Sequence, residues 1–139
     1  MQIAKASLPP HIRAIIAFDM LACGLFALPQ LSALVIAVLN DVNGALGFAG
    51  QPVILAPAAF FFVNFAGLLG VALNAMLLKT SDAALHRVNV AARAGVVILL
   101  GYYILAHDLP AIFAAFILSE IVGGALTWRW LASRSGDAS

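Results

Sequence analysis

The sequence predicts an all-α polytopic membrane protein, a bundle of four transmembrane helices. Of its 139 residues, 64% are hydrophobic and 9% are charged, and the mean hydropathy is +1.07, far outside the range of soluble domains. Four apolar stretches are each long enough for a span of about 20 residues. Every lysine and arginine falls on one side of the resulting arrangement, as the positive-inside rule describes for polytopic proteins.

The first span is expected to begin at Arg13 and to end near Pro29, where the missing backbone donor should kink or break the helix. Apolar residues then recur at three- and four-residue steps over residues 31–46, a pattern typical of an amphipathic helix. Two alternatives follow. Residues 31–46 either form an interfacial helix or continue the first span as one long tilted helix that ends at Asn40.

Polar residues, glycines and prolines bound the other three spans. The second is predicted over Pro57–Leu78. Ser81 is the expected N-cap of the third span, which extends through Ala106. In the following link, Asp108 is expected to cap the fourth span, which is predicted over Pro110–Leu131 with the proline in its first turn.

The chain is expected to form one transmembrane domain, residues 1–132, and a polar cytoplasmic tail, residues 133–139. Basic residues flank both ends of the chain and the connection between the second and third spans, which the positive-inside rule places in the cytoplasm. The sequence therefore predicts a multi-pass membrane protein with both termini cytoplasmic. The basic residues are Lys5, Arg13, Lys79, Arg87, Arg93, Arg129 and Arg134.

Glu120 is the first candidate for a functional residue. It lies ten residues after Pro110, which places it about 15 Å deep at about 1.5 Å per residue. A charged side chain at that depth costs about 2.5–3.5 kcal/mol, so we expect the carboxyl group to face the bundle and to be paired, hydrated or protonated. Asn64 and Tyr102 are the nearest polar residues in depth. The three residues predict a candidate polar site in the outer half of the membrane.

Asp19 and Arg93 form a second candidate pair. Each lies six residues inward from a cytoplasmic arginine, Arg13 or Arg87, so both are about 9 Å deep. An ion pair between the first and third spans would lower the cost of both charges. The pair is either purely structural or part of a ligand or proton site. As an alternative, Arg93 could extend its head group to the membrane surface.

Small residues at four-residue steps predict a helix-packing face on the fourth span. Such a ribbon lets another helix approach closely. The partner helix is expected within the same bundle, with a homodimer as the alternative. The ribbon consists of Ala111, Ala115, Ser119 and Gly123.

No metal site or cofactor is expected. The chain has one cysteine and three histidines, and no two histidines share a helix face within the membrane, so the ligand spacing for zinc or haem is missing. The net charge of +1 does not indicate nucleic-acid binding. The expected partners are the lipid bilayer and, as an option, another membrane protein or a second copy of the chain.

The layout resembles that of small, functionally uncharacterised bacterial inner-membrane proteins of four helices, of the DoxX-like type. The resemblance implies a four-helix fold and an inner-membrane location more than an activity. It rests on Arg13 and Asp19 at the head of the first span, the FALP turn at Phe26–Pro29, the FVNFAGLLG segment at Phe62–Gly70, Arg93, and the SEIVGG segment at Ser119–Gly124.

Three functions are compatible with these residues. The sequence favours a non-enzymatic binding or accessory component of a membrane system, because nothing in it requires chemistry. The second is a small proton-coupled transporter or channel that uses Glu120. The third is a membrane enzyme that acts on an apolar substrate such as a lipid or quinone, with Glu120 as acid or base.

Overall fold

The computed structural model describes residues 8–136, and within them it is all α-helical. Four segments are long and apolar enough to cross a membrane, which confirms the predicted four-span all-α bundle and makes the protein a multi-pass integral membrane protein. The helices are α1 (Pro10–Ala27), α2 (Pro29–Ala45), α3 (Pro57–Lys79), α4 (Ala83–Ala106) and α5 (Ala114–Gly136), with a short 3₁₀ helix (Ala111–Phe113) before α5.

The chain breaks between α1 and α2, as expected at Pro29. Leu28 is extended, with φ −103° and ψ 123°, and Pro29 opens α2. The alternative of one long helix to Asn40 is therefore wrong. α2 has 17 residues and is not among the candidate spans of the described chain, so it is a separate helix after the first span.

The start of α4 differs from the prediction in its capping residue. Asp82, not Ser81, is the N-cap, and its carboxylate accepts a hydrogen bond from the backbone N–H of Ala84 at 2.8 Å. A carboxylate also interacts favourably with the partial positive charge of a helix N-terminus. The position of the third span is otherwise as predicted, because α4 ends at Ala106.

The start of the fourth span also differs. Asp108 makes no side-chain cap there, and with φ 53° it is a turn residue in the left-handed region. Pro110 precedes the 3₁₀ helix instead of lying in its first turn. At the other end, α5 continues beyond the expected Leu131 to Gly136.

The spans are arranged as two helix pairs, α1 with α3 and α4 with α5. The contacts between the pairs are sparse, and α1 meets α5 only briefly. Gly67 allows the close approach within the first pair, because a Cβ at this position would lie 2.5 Å from the backbone nitrogen of Ala27 and 2.8 Å from the carbonyl oxygen of Cys23. The pairs therefore leave a cleft between them.

Asn43, which is buried near the end of α2, joins the loop after α2 to the start of the fourth span. Its amide nitrogen donates to the carbonyl of Phe48 at 3.1 Å, and its amide oxygen accepts from the backbone N–H of Ile112 at 3.0 Å. The loop after α2 is joined to the same region through Gln51 N–H, which donates to the carbonyl of Asp108 at 2.7 Å. This side chain ties the loop to the start of the fourth span.

Candidate functional site

Three charged residues from three helices meet in the cleft. Nη2 of Arg93, on α4, forms an ion pair with Oδ2 of Asp19 on α1. Nη1 of Arg93 donates to Oε2 of Glu120 on α5 at 2.9 Å. We call this group the charge triad. Asp19 and Arg93 are thus in contact, as the matching depths predicted.

The guanidinium lies in a space left by a glycine. A Cβ at Gly123 would be 2.5 Å from Nη1 of Arg93 and 3.3 Å from Cγ2 of Ile15. Only 5% of Arg93 is exposed, so its head group does not extend to the membrane surface, and that alternative is wrong. Burying the guanidinium costs free energy, and its two ion pairs offset this cost better than a single ion pair would.

The second ion pair corrects the prediction for Glu120. The sequence placed this carboxylate with Asn64 and Tyr102, whereas the structure pairs it with Arg93. The depth estimate failed because it treats each residue as a point, while an arginine side chain reaches several ångströms along the bundle. Arg93 therefore bridges the two carboxylates instead of balancing one.

A cavity of about 440 Å³ lies in the cleft beside the charge triad. Its walls come from both helix pairs. Phe18 on α1 and Val96 on α4, which line it, are 59% and 39% exposed, so the cavity is open and not enclosed by the helices. The lining residues are Phe18, Asp19, Ala22, Cys23, Phe26, Val63, Ala66, Gly67, Val96, Leu100, Phe113, Phe116, Ser119 and Glu120.

The lining is largely apolar, with few polar groups. The lining residues that carry polar or ionisable side chains are Asp19, Cys23, Ser119 and Glu120. The hydroxyl of Ser119 is already engaged, since it donates to the carbonyl of Phe116 at 2.8 Å. An apolar cavity with a few fixed polar groups is typical of a small-molecule site.

A second cavity of about 320 Å³ lies on the other side of Glu120. Arg93 lines this cavity but not the first one. Glu120 lines both cavities, so this residue lies between them. The other lining residues are Val90, Ala94, Val97, Ile98, Ile121 and Gly124.

Asn64 lies at the break between α1 and α2, away from Glu120. Its amide nitrogen donates to the carbonyl of Phe26 and to Oγ of Ser32, both at 2.7 Å. The break frees that carbonyl, because a continuous helix would pair it with the backbone N–H of Gln30. Asn64 therefore satisfies a backbone group that the break left without its helical partner.

Tyr102 also lies apart from the charge triad. Its side chain is exposed, and its hydroxyl is 3.0 Å from Nε2 of His107 in the link before the fourth span. The predicted group of Glu120, Asn64 and Tyr102 is therefore not brought together. Asp19 and Arg93 take the place of Asn64 and Tyr102 beside Glu120.

The four small residues of the fourth span do not share one packing face. Gly123 packs against Arg93, and Ser119 lines the larger cavity. Ala115 is exposed, and Ala111 precedes α5 in the 3₁₀ helix. The change from 3₁₀ to α geometry removes Ala111 from the four-residue register of the others.

A buried polar row on α4 was missed by the sequence analysis. His86, Asn89 and Arg93 are all buried, and His86 is 3.1 Å from the carbonyl of Thr80 through Nε2, with its ring 4.8 Å from that of Trp130. Their spacing of three and then four residues marks one helix face. That spacing was the signal that could have found the row.

Within residues 8–136, no group of three or more metal-ligating side chains is close enough to hold a metal ion. Comparison of the chain with family models, curated proteins and solved structures finds no match.

Proposed function

We propose that this integral membrane protein is a non-enzymatic binding protein, which takes small, largely apolar ligands from the bilayer into the cavity between its two helix pairs. The observation that carries the proposal is the cavity of about 440 Å³, lined mainly by apolar side chains and bordered by Asp19 and Glu120. This volume lies within the range of about 300–1,000 Å³ that small-molecule sites occupy.

The charge triad supports a binding role. Arg93 holds both carboxylates in fixed positions at the cavity wall, and fixed polar groups in an apolar site orient a ligand. A general acid or base must instead exchange a proton with its substrate. Both carboxylates are engaged by one guanidinium, which favours a positioning role for them.

The second candidate function is a small proton-coupled transporter in which Glu120 carries the proton. It is favoured by the position of Glu120, which lines both cavities. Glu120→Gln should abolish proton-coupled flux of a substrate in proteoliposomes if this function is correct. Flux that persists in this variant excludes it.

We further propose that the protein lies in a bacterial inner membrane with both termini in the cytoplasm. The distribution of basic residues supports this orientation. The DoxX-like resemblance supports the same location. The spans expose many apolar side chains. This surface is compatible with contact to lipid, to a second copy of the chain or to another membrane protein.

Photolabelling in lipid nanodiscs tests the binding function. The probe is a neutral apolar aryl diazirine, and the labelled positions are mapped by mass spectrometry of peptides. We expect label on cavity-lining residues that are only partly exposed, such as Phe113 and Phe116. Lipid-facing Leu105, which is 87% exposed, gives the reference level of labelling.

Two alanine variants on α3 complete the experiment. Ala66 lines the cavity, and Ala66→Phe should fill part of it and reduce labelling of Phe113 and Phe116 while Leu105 is labelled as before. Ala72 is exposed on the same helix but does not line the cavity, so Ala72→Phe should leave the pattern unchanged. Label confined to lipid-facing residues in the wild-type protein contradicts the proposed function.

A further inference from the structure

We propose that the cavity selects hydrophobic organic cations, which rests on the proposed binding function and names the ligand class. Charge balance is the first reason. Within residues 8–136, Arg93 is the one cation in ion-pair contact with Asp19 and Glu120. Two carboxylates therefore share a single guanidinium, and the group carries a formal charge of −1 when both are ionised.

The position of the Arg93 guanidinium is a second reason to expect a preference for cations. Asp19 and Glu120 line the larger cavity, whereas Arg93 lines the smaller one. Both of its terminal nitrogens are occupied, one by each carboxylate, and its Nη1 group packs against Gly123. A ligand in the larger cavity therefore has Asp19 and Glu120 in the wall beside it, while Arg93 is not part of that wall.

The aromatic side chains of the cavity wall also favour a cation over an anion. Four phenylalanines from both helix pairs line the cavity, and the rings of Phe26 and Phe116 are in edge contact at 6.3 Å between centroids. The face of an aromatic ring attracts a cation, and this attraction is larger when the site excludes water. The other two rings are those of Phe18 and Phe113.

An anion or an acceptor-only ligand would find no comparable partner there. The donors in the lining are the thiol of Cys23 and the hydroxyl of Ser119, and the hydroxyl already donates to Phe116. A cation placed at the carboxylates offsets the excess negative charge of the charge triad, while an anion adds to it. Coulomb interactions at this depth are weakly screened, so the difference between the two signs is large.

Tetraphenylphosphonium and tetraphenylborate provide the test, because they have nearly the same shape and opposite charge. Each competes with the neutral aryl diazirine for the cavity in nanodiscs, and its free concentration is corrected for partition into discs without protein. We expect tetraphenylphosphonium to protect Phe113 and Phe116 at a concentration at least about tenfold lower than tetraphenylborate, equivalent to about 1.4 kcal/mol. Equal protection by both ions overturns the inference.

Glu120→Gln separates this inference from the proposed function. Glutamine has nearly the same shape as glutamate and keeps an acceptor oxygen for Nη1 of Arg93. It removes one negative charge, so that one carboxylate and one guanidinium remain and the group has no formal net charge. The variant should lose most of the preference for the phosphonium ion over the borate ion, when protection by each ion is measured relative to the variant's own labelling by the neutral probe. An undiminished preference in this variant contradicts the inference. Loss of neutral labelling in the wild-type protein contradicts the proposed function itself.

Discussion

Asp19 on α1 and Arg93 on α4 form an ion pair across the cleft between two helix pairs that otherwise touch sparsely. The same guanidinium binds Glu120 within its own pair at 2.9 Å. Arg93 therefore performs two tasks, since it holds the pairs together and fixes both carboxylates at the wall of the cavity.

Arg93→Met should destabilise the protein, because it leaves two partly buried carboxylates close together without a cation. Breaking a buried ion pair by removing one partner costs about 3–5 kcal/mol. Unfolding by sodium dodecyl sulfate in mixed micelles, followed by circular dichroism, measures the change. Arg87→Met is the control, because Arg87 is exposed on the same helix. Equal stability of the two variants would show that the charge triad does not hold the helix pairs together.

Gly67→Ala should separate α1 from α3. The added Cβ would lie 2.5 to 2.8 Å from three backbone atoms of α1, which cannot move independently of the helix, and overpacking of this kind costs about 1–3 kcal/mol. Gly95→Ala is the matched control on α4, where a Cβ meets nothing within 4 Å. It should stay within about 1 kcal/mol of the wild-type protein. The micelle unfolding assay compares the two, and similar losses would contradict the predicted close approach.

Asn64→Leu should destabilise the break between α1 and α2. Leucine cannot donate to the carbonyl of Phe26 or to Ser32, and a buried acceptor without a partner costs about 1–3 kcal/mol. Hydrogen exchange of backbone amides near the break should increase in the variant, together with the loss in unfolding free energy. Gln30→Leu, a change at an exposed position near the same break, should produce neither effect. If hydrogen exchange near the break is unchanged in Asn64→Leu, the bond from Asn64 to the carbonyl of Phe26 does not stabilise the break.

Asn43→Ala should release the loop after α2 without unfolding the bundle. The variant loses the bonds to Phe48 and Ile112, so the amides of Gln51 and Ile112 should exchange faster while those in the middle of α3 keep their protection. Asp41→Ala, at an exposed neighbouring position, is the control. Global loss of protection in Asn43→Ala would contradict the local role.

The spans were predictable from the sequence because hydropathy, prolines and charges act over whole segments. The break at Pro29 follows from one missing backbone donor, and the start of α3 at Pro57 follows from the preference for proline in a first helical turn. Contact between Asp19 and Arg93 was predictable because the helical rise gives similar depths to both residues.

The rest of the site depends on features that the residue pattern does not contain. Asn64 binds a backbone carbonyl that is free only because the helix is broken there. Glu120 reaches Arg93 because Gly123 leaves room for the guanidinium. The cavity arises from the way two helix pairs fail to fill the space between them, which depends on packing and not on the order of residues along one helix.

The most direct test of the binding cavity is the location of a bound apolar probe in crystals grown from a lipid mesophase. Crystals of the wild-type protein soaked with iodobenzene should show an anomalous-scattering peak between α1 and α4, beside Glu120 and the ring of Phe116. Crystals of Ala66→Phe should lack this peak. Iodine peaks found only on the lipid-facing surface of the wild-type protein would contradict the account.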